Sequence, residues 1–374
     1  MAMTTLTLEE WDNLCSQQKV REAEYRERLR GAVASTEPPL PADLVTAVIH
    51  LYDGDTRAIM RAHKGYALAE RRTSYFTSLS IMELSCTDLL SAIDRFAVQA
   101  LADGSALFQR SNGDALEAFE QRIQKELFAA TNAAASLVDH ARRVQKILNL
   151  ADYDGRVVAA FGTDGLHDFV IALRVLLHHL HVVEAGWNMT NSFSEGGKTA
   201  TFMVHKDAVE RAIAQFPDRV GGKKGEALHA FVQAAPDTID LKTTFEEYRH
   251  RMRLFHAWLE QQFDADSLIA LRDYDHVMLE KKRLSTRLFW NMLLGNWLRN
   301  WKTPPNPHNY LHKYLTPDQL AEVYGLPCNS KEQVDVVISF IDTNHAIDDR
   351  LRELAYELFA CSTPPEGTAL LKSA

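Results

Sequence analysis

The sequence predicts a mainly all-α fold: a helical bundle with one small β-hairpin and a small C-terminal helical unit. Apolar residues recur every three or four positions along most of the 374 residues, which is the period of a helix that buries one face. Polar and apolar residues alternate, as they do in strands, only around residues 187–205.

Capping and turn residues divide the helical pattern into separate elements. Thr7 can cap the first helix, with Glu10 three residues later. Asp103 and Gly104 stop one long helix, and the segment 152–155 ends the next. The main predicted helices cover residues 7–33, 43–60, 66–102, 112–150, 167–185, 206–216, 241–263 and 267–301.

The alternating segment predicts a β-hairpin. Its strands are Trp187–Phe193 and Thr199–His205, and the turn between them contains Gly196 and Gly197. An isolated hairpin is only marginally stable in water, so its bulky apolar residues should pack on a helix. We expect this of at least two among Met189, Phe193, Phe202 and Val204.

A proline-rich linker, Thr303–Pro307, separates the bundle from the small C-terminal unit. The predicted domains are therefore a charged N-terminal helix over residues 1–34, the bundle with its hairpin over 35–302, and a helical unit over 308–374.

Composition narrows the functional classes. The net charge of −9 argues against a protein that coats nucleic acid non-specifically, although it allows a local basic site. The four cysteines form no C-x-x-C pair, which favours a reducing compartment without structural disulfides. The charged N-terminus has no apolar signal core, and no apolar run approaches the length of about 20 residues that spans a bilayer. We expect a cytoplasmic protein with no membrane contact.

Common catalytic signatures are missing from the sequence. It contains no P-loop, no G-x-G-x-x-G, no H-E-x-x-H and no G-x-S-x-G motif. Nucleotide-dependent, zinc-peptidase and α/β-hydrolase chemistry therefore have no support, and we predict no cofactor.

The helix over 167–185 carries the most unusual chemistry. At about 100° per residue, its core stripe consists of Phe169, Leu173, Leu176, Leu180 and Val183. Arg174, His178 and His181 gather roughly opposite, and His179 points away from both groups. A guanidinium can hold a phosphate through two hydrogen bonds, and a histidine can move protons near neutral pH.

Two other interpretations of this helix stay open. The arginine and the histidines fit a partly solvated helix face with no ligand. His178, His181 and Glu184 also cluster as metal ligands would, but no cysteine or second histidine pair at metal spacing supports them. We therefore predict no metal site.

A polar stripe on the helix over 131–150 supports a function for this region. Asn132, Ser136, Asp139 and Arg143 share one face, and His140 flanks them. The opposite face is apolar and consists of Leu137, Ala141, Val144 and Leu148. We expect Arg174 and at least one nearby histidine to share a polar cleft with a residue of this stripe. There Asp139 could orient a histidine, or Arg143 could add positive charge.

The run Leu173–His179 resembles the arginine–(four to six residues)–histidine motif of the HEPN superfamily. These are all-helical, often dimeric domains, many of them metal-independent RNases of toxin–antitoxin and phage-defence systems. The resemblance implies that Arg174 positions the scissile phosphate and that a histidine assists attack by the ribose 2′-hydroxyl. His179 has the more usual spacing, and helical geometry favours His181. Val175 departs from the family, which usually has a polar residue there.

A wider pattern over roughly residues 120–265 is similar to a group of uncharacterised bacterial helical proteins, which implies a shared fold. The leading functional hypothesis is a HEPN-like RNA-binding protein or RNase, active or inactive. Its catalytic candidates are Arg174, His179 and His181, and its substrate-binding candidates are Asn132, Asp139, Arg143 and His178. RNA, a protein partner and a homodimer are the implied interactions. The alternative is a non-enzymatic helical interaction protein.

Basic and aromatic residues also alternate between Lys281 and Lys302. This pattern fits a nucleic-acid surface, but large aromatics at helical spacing favour a buried core.

Overall fold

The computed structural model describes residues 8–102, 105–109, 112–179, 185–192, 197–215 and 223–363. Helices dominate this part of the chain, which confirms the predicted fold class. Contacts divide it into two compact units. Unit 1 combines the described residues up to Ala67 with those from Ile269 onward, and unit 2 is Leu68–Leu268. This division differs from the boundaries predicted at residues 34 and 302–308.

Unit 1 is built from helices at both ends of the chain. They are α1 (Leu8–Ser35), α2 (Ala42–Ile49), α3 (Asp53–Met60), α11 (Ile269–Asn300), α12 (His308–Leu311), α13 (Pro317–Gly325), α14 (Lys331–Ile341) and α15 (Asp349–Ala360). The single predicted helix over 43–60 is thus two helices, separated at residues 50–52.

One apolar core joins the two ends of the chain. Val33 of α1, Val48 of α2 and Met60 of α3 are fully buried in the same cluster as Val277 of α11. The first three helices, which also pack on one another, therefore complete their shared core with a residue from the other end of the chain.

The C-terminal helices have their own core. Leu311, Val323, Val334, Val337 and Phe359 belong to one buried cluster. Thr316 begins α13 with a capping box, in which its hydroxyl accepts from the backbone N–H of Gln319 and the Gln319 side chain accepts in return.

Unit 2 contains most of α4 together with the central helices and the sheet. Its elements are α4 (Tyr66–Leu101), α5 (Gly113–Leu148), α6 (Tyr153–Phe161), α7 (Leu166–His179), β1 (Ala185–Ser192), β2 (Gly197–His205), α8 (Lys206–Gln215), α9 (Lys223–Ala234), β3 (Thr238–Asp240) and α10 (Leu241–Phe263).

The predicted hairpin is present as antiparallel β1 and β2, with Trp187 opposite Phe202. Ala185, predicted as the end of a helix, begins β1 instead. A third strand, β3, which the sequence analysis missed, pairs with β2.

The hairpin packs on helices, as expected. Phe202 is fully buried with its ring 5.1 Å from that of Phe96 on α4, and Val204 is also fully buried. Trp187 donates from Nε1 to the carboxylate of Glu120 at 2.9 Å. Phe193 lies outside the described residues.

Helix α4 is long and apolar. By length and composition it could cross a membrane, and among the described residues one helix, α4, meets that criterion. It also buries a regular stripe that includes Tyr75, Met82, Leu89 and Phe96, as a core helix of a soluble protein does. The cytoplasmic location stays a prediction. All four cysteines are free.

The segment from Lys281 to Lys302, in which basic and aromatic residues alternate, is more exposed than the buried core that we favoured from the sequence. Phe289 is 52% exposed, Trp290 38% and Trp301 52%. Only part of the segment packs inside, where Trp297 contacts a cluster around Leu294.

Candidate functional site

Helices α5 and α7, which carry the predicted site residues, pack against each other. On α7, Phe169, Leu173 and Leu176 are fully buried. On α5, Val144 is fully buried, and Leu137 and Ala141 are less than a tenth exposed. The apolar stripes predicted from the sequence are therefore buried, apart from Leu148, which is partly exposed, and from Leu180 and Val183, which lie outside the described residues. The polar stripe of α5 is turned outward.

Arg174 of α7 contacts the polar stripe through Asn132. Its Nε donates to the Asn132 side-chain oxygen at 3.0 Å, across a sequence separation of 42 residues. The Asn132 Nδ2 donates to the carbonyl of Phe128 at 2.8 Å, which fixes the amide with its oxygen toward the arginine. Arg174 is exposed, and in the described part of the chain it has no carboxylate partner.

Three other arginines of unit 2, all on α10, pair with carboxylates. Arg251 donates to both oxygens of Asp164, at 2.8 and 2.7 Å, and these bonds lower the pKa of that carboxyl. Arg249 and Arg253 both donate to Glu83. These pairs hold α10 to its neighbours. Arg174 differs because its single bonded partner among the described residues is neutral.

The rest of the polar stripe also carries a positive charge that no carboxylate among the described residues neutralises. Asp139 is exposed and lies 3.8 Å from Arg142 on its own helix, so it does not neutralise Arg174. Arg143 is exposed and makes no ion pair within the described residues. Asn132 and Arg143 are eleven residues apart, which corresponds to about 16 Å along the helix.

His140 lies beside this stripe in an unusual environment. Its Nδ1 is buried and has no hydrogen-bond partner among the described residues. Burial lowers the pKa of His140, the positive charges of Arg143 and Arg71 lower it further, and Asp139 opposes them. The imidazole is therefore kept neutral near two arginines. Arg71 comes from α4, and no sequence pattern pointed to it.

The histidines of the motif are described only in part. His178 and His179 end α7, but their side chains lie outside the described residues. His181 lies outside them entirely. Their catalytic and substrate-binding roles stay predictions, as do those of Arg174, Asn132, Asp139 and Arg143.

This face, which we call the α5–α7 face, consists of Arg174, Asn132, His140 and Arg143, with Arg71 beside them. Its open guanidiniums suit an anion, because arginine binds phosphate oxygens through paired hydrogen bonds. Within the described residues, no group of three histidine, cysteine or acidic side chains could hold a metal ion.

Comparison with known proteins adds no relative from which a role could be transferred. No family model, no curated protein and no solved structure matches the chain. The functional assignment therefore depends on the chemistry of the chain's own residues.

Proposed function

We propose that the protein binds RNA on the α5–α7 face and, as a HEPN-like RNase, cleaves it without a metal ion. The observation that carries this proposal is the contact between Arg174 and Asn132. A neutral amide holds the arginine in place without cancelling its charge, so the guanidinium remains able to bind a phosphate.

The surrounding charges support an extended anion in preference to a single ion. Arg143 lies on the same face of α5 as Asn132, about 16 Å away, and Arg71 lies near His140. A single-stranded RNA would present successive phosphates along this distance. The acidic total charge of −9 limits non-specific binding elsewhere on the surface.

Cleavage requires a proton acceptor for the ribose 2′-hydroxyl. His179 and His181 are the candidates from the motif, with Arg174 positioning the phosphate. A chain in which the histidine fails to reach the ribose would still bind RNA. Binding and cleavage are therefore tested separately.

The binding test measures the affinity of a fluorescent single-stranded RNA by anisotropy. We expect Arg174→Ala to weaken binding about tenfold, because one charge-assisted phosphate contact is lost. Arg95→Ala is the matched control, since Arg95 is also exposed and its Nε donates to a neutral acceptor, the Ser91 carbonyl of its own helix. Equal affinities for the wild type and Arg174→Ala would contradict the proposal.

The cleavage test incubates the same RNA with the protein in excess EDTA. Cleavage should persist in the chelator, disappear in Arg174→Ala, and spare DNA of the same sequence, which lacks the 2′-hydroxyl. His179→Ala and His181→Ala would identify the catalytic histidine. RNA binding without cleavage would retain the binding part of the proposal and reject the enzymatic part.

The second candidate is a non-enzymatic interaction protein. The observation that favours it is the apolar surface of α11, where Leu288 is 60% exposed, Phe289 52% and Met292 68%. Exposed apolar side chains that lie together often mark protein interfaces. This candidate is favoured if the protein does not bind RNA and forms a protein complex that Phe289→Glu disrupts.

A further inference from the structure

A cavity lies between the C-terminal half of α11 and the start of α15, both in unit 1. Its volume is about 330 Å³, at the lower end of the range for small-molecule sites. Gly295 helps to create the space, because a Cβ at this position would meet no atom within 4 Å. The α5–α7 face belongs to unit 2, so this cavity is a separate feature of the chain.

Two arginines line the cavity, and none of its lining residues is acidic. Arg299 comes from α11 and Arg350 from α15. Neither makes an ion pair with any described residue, whereas Arg287 on the same helix pairs with Asp348 at 3.2 Å. Two guanidiniums that line one cavity repel each other, and a dianion such as a phosphate monoester relieves this repulsion.

Amide side chains supply hydrogen-bonding groups on the same wall. Asn291 donates from Nδ2 to the carbonyl of Arg287 at 3.0 Å, which leaves its side-chain oxygen buried without a donor among the described residues. Asn300 donates to Asn296 at 2.7 Å, so the Asn296 amide nitrogen and the Asn300 oxygen are not used in that bond. The unused groups of Asn296 and Asn300 can therefore donate to a ligand and accept from it.

Apolar side chains complete the lining of the cavity. Met292 and Leu354 add apolar wall, which suits the face of a planar ring. Asparagine amides match the donor and acceptor edge of a nucleobase, and the arginines match a phosphate.

We propose that this cavity binds a nucleoside monophosphate group. Two sources share this chemistry: a free mononucleotide, and the phosphorylated terminal nucleotide of an RNA. In both, the phosphate binds Arg299 and Arg350, and the base bonds to the unused amide groups of Asn296 and Asn300.

The test titrates the full-length protein with nucleoside monophosphates by isothermal calorimetry, with inorganic phosphate and the unphosphorylated nucleosides alongside. Arg299→Gln and Arg350→Gln should each weaken mononucleotide binding about tenfold or more. Gly295→Leu should abolish it by filling the cavity. Circular dichroism and a thermal melt establish that each variant is folded.

Lys302→Gln is the matched control, because Lys302 is an exposed cation just beyond α11 that does not line the cavity. It should bind mononucleotides as the wild type does. Arg174→Ala should also bind them normally, which distinguishes this site from the α5–α7 face. Absence of saturable binding would overturn the proposal, as would unchanged affinity in folded Arg299→Gln, Arg350→Gln and Gly295→Leu.

Competition identifies the source of the ligand. If a short RNA with a terminal phosphate displaces the mononucleotide and the same RNA with a terminal hydroxyl does not, the cavity binds RNA ends. If neither RNA displaces it, the ligand is the free nucleotide. Inorganic phosphate binding as tightly as the mononucleotides would overturn the proposed role of the amides.

Discussion

His63 and Asp273 form a hydrogen-bonded pair inside unit 1, with 3.0 Å between the histidine Nε2 and the carboxylate oxygen. The backbone N–H of Leu40 donates to the same oxygen at 2.8 Å. The backbone N–H of Gly65 donates to the histidine Nδ1 at 3.0 Å, so the ring proton is on Nε2. The pair thereby ties the segment after α1 and the segment before α4 to α11.

The first prediction follows from this pair. His63→Ala should lower the free energy of unfolding by about 2–3 kcal/mol, because it leaves a buried carboxylate without one of its donors. Urea denaturation measures this loss. In His63→Ala with Asp273→Asn, part of the stability should return, since the buried charge is gone. A double variant no more stable than His63→Ala would show that the carboxylate is not the cause.

The second prediction concerns the neutral partner of Arg174. Asn132→Asp should weaken RNA binding about tenfold, because a carboxylate at this position would pair with the arginine and repel phosphate. Asn132→Ala should weaken it only about threefold, through loss of positioning. Gln124→Glu, an exposed amide-to-acid change about 80° around α5, is the control and should have little effect. If Asn132→Asp binds RNA as the wild type does, Arg174 is not a phosphate ligand.

The third prediction concerns the turn before α7. Gly165 has a φ of +82°, and a Cβ there would collide with the carbonyl oxygen of Ala227 on α9. Gly165→Ala should therefore destabilise the protein by about 2–3 kcal/mol. Gly31→Ala should instead stabilise it by about 0.5–1 kcal/mol, because Gly31 lies inside α1 with open space around it. Thermal or urea unfolding of the two variants should shift in opposite directions.

The fourth prediction concerns pH. Burial lowers the pKa of His256 on α10 below its ordinary value of 6.5, and the opposing charge of Glu260 does not restore it. Below about pH 6.5 the unfolded chain therefore binds a proton more readily than the folded one, so stability falls as the pH falls.

His256→Phe tests this effect, because the phenyl ring should pack beside Phe76, whose ring lies 5.7 Å from the imidazole. We expect the variant to lose less stability than the wild type between about pH 7 and about pH 5, as measured by urea midpoints. His250→Phe on the same helix is the exposed control. Equal pH dependence in the wild type and His256→Phe would contradict the assignment.

The helices and the hairpin were predictable because each depends on a local period. The helix predicted over 241–263 has the bounds of α10, and the alternation around Trp187 located both hairpin strands, each of which begins two residues before its predicted start. Strand β3 escaped because its three residues are too few to show a period. The exposed aromatics of α11 escaped for another reason: a sequence shows which side chains are apolar but not whether a partner covers them.

The candidate site was predictable only as two separate stripes. Arg174 and Asn132 were both named from helical spacing, yet their hydrogen bond depends on how α7 packs beside α5, 42 residues away. Tertiary structure also brings Arg71 of α4 near His140, and no local pattern contains that information. Which arginines are neutralised is also decided by tertiary contacts, as Arg251 with Asp164 illustrates.

The shared core of Val33, Val48, Met60 and Val277 has a consequence during synthesis of the chain. The first three helices leave the ribosome roughly 200 residues before α11 does, a delay of about 10–40 s at elongation rates of about 5–20 residues per second. Through that interval the shared core lacks the side of it that α11 covers, while the continuous unit between them can already fold. Nascent α1–α3 therefore leave part of an apolar core exposed until the end of the chain is made, and we expect them to bind chaperones during synthesis.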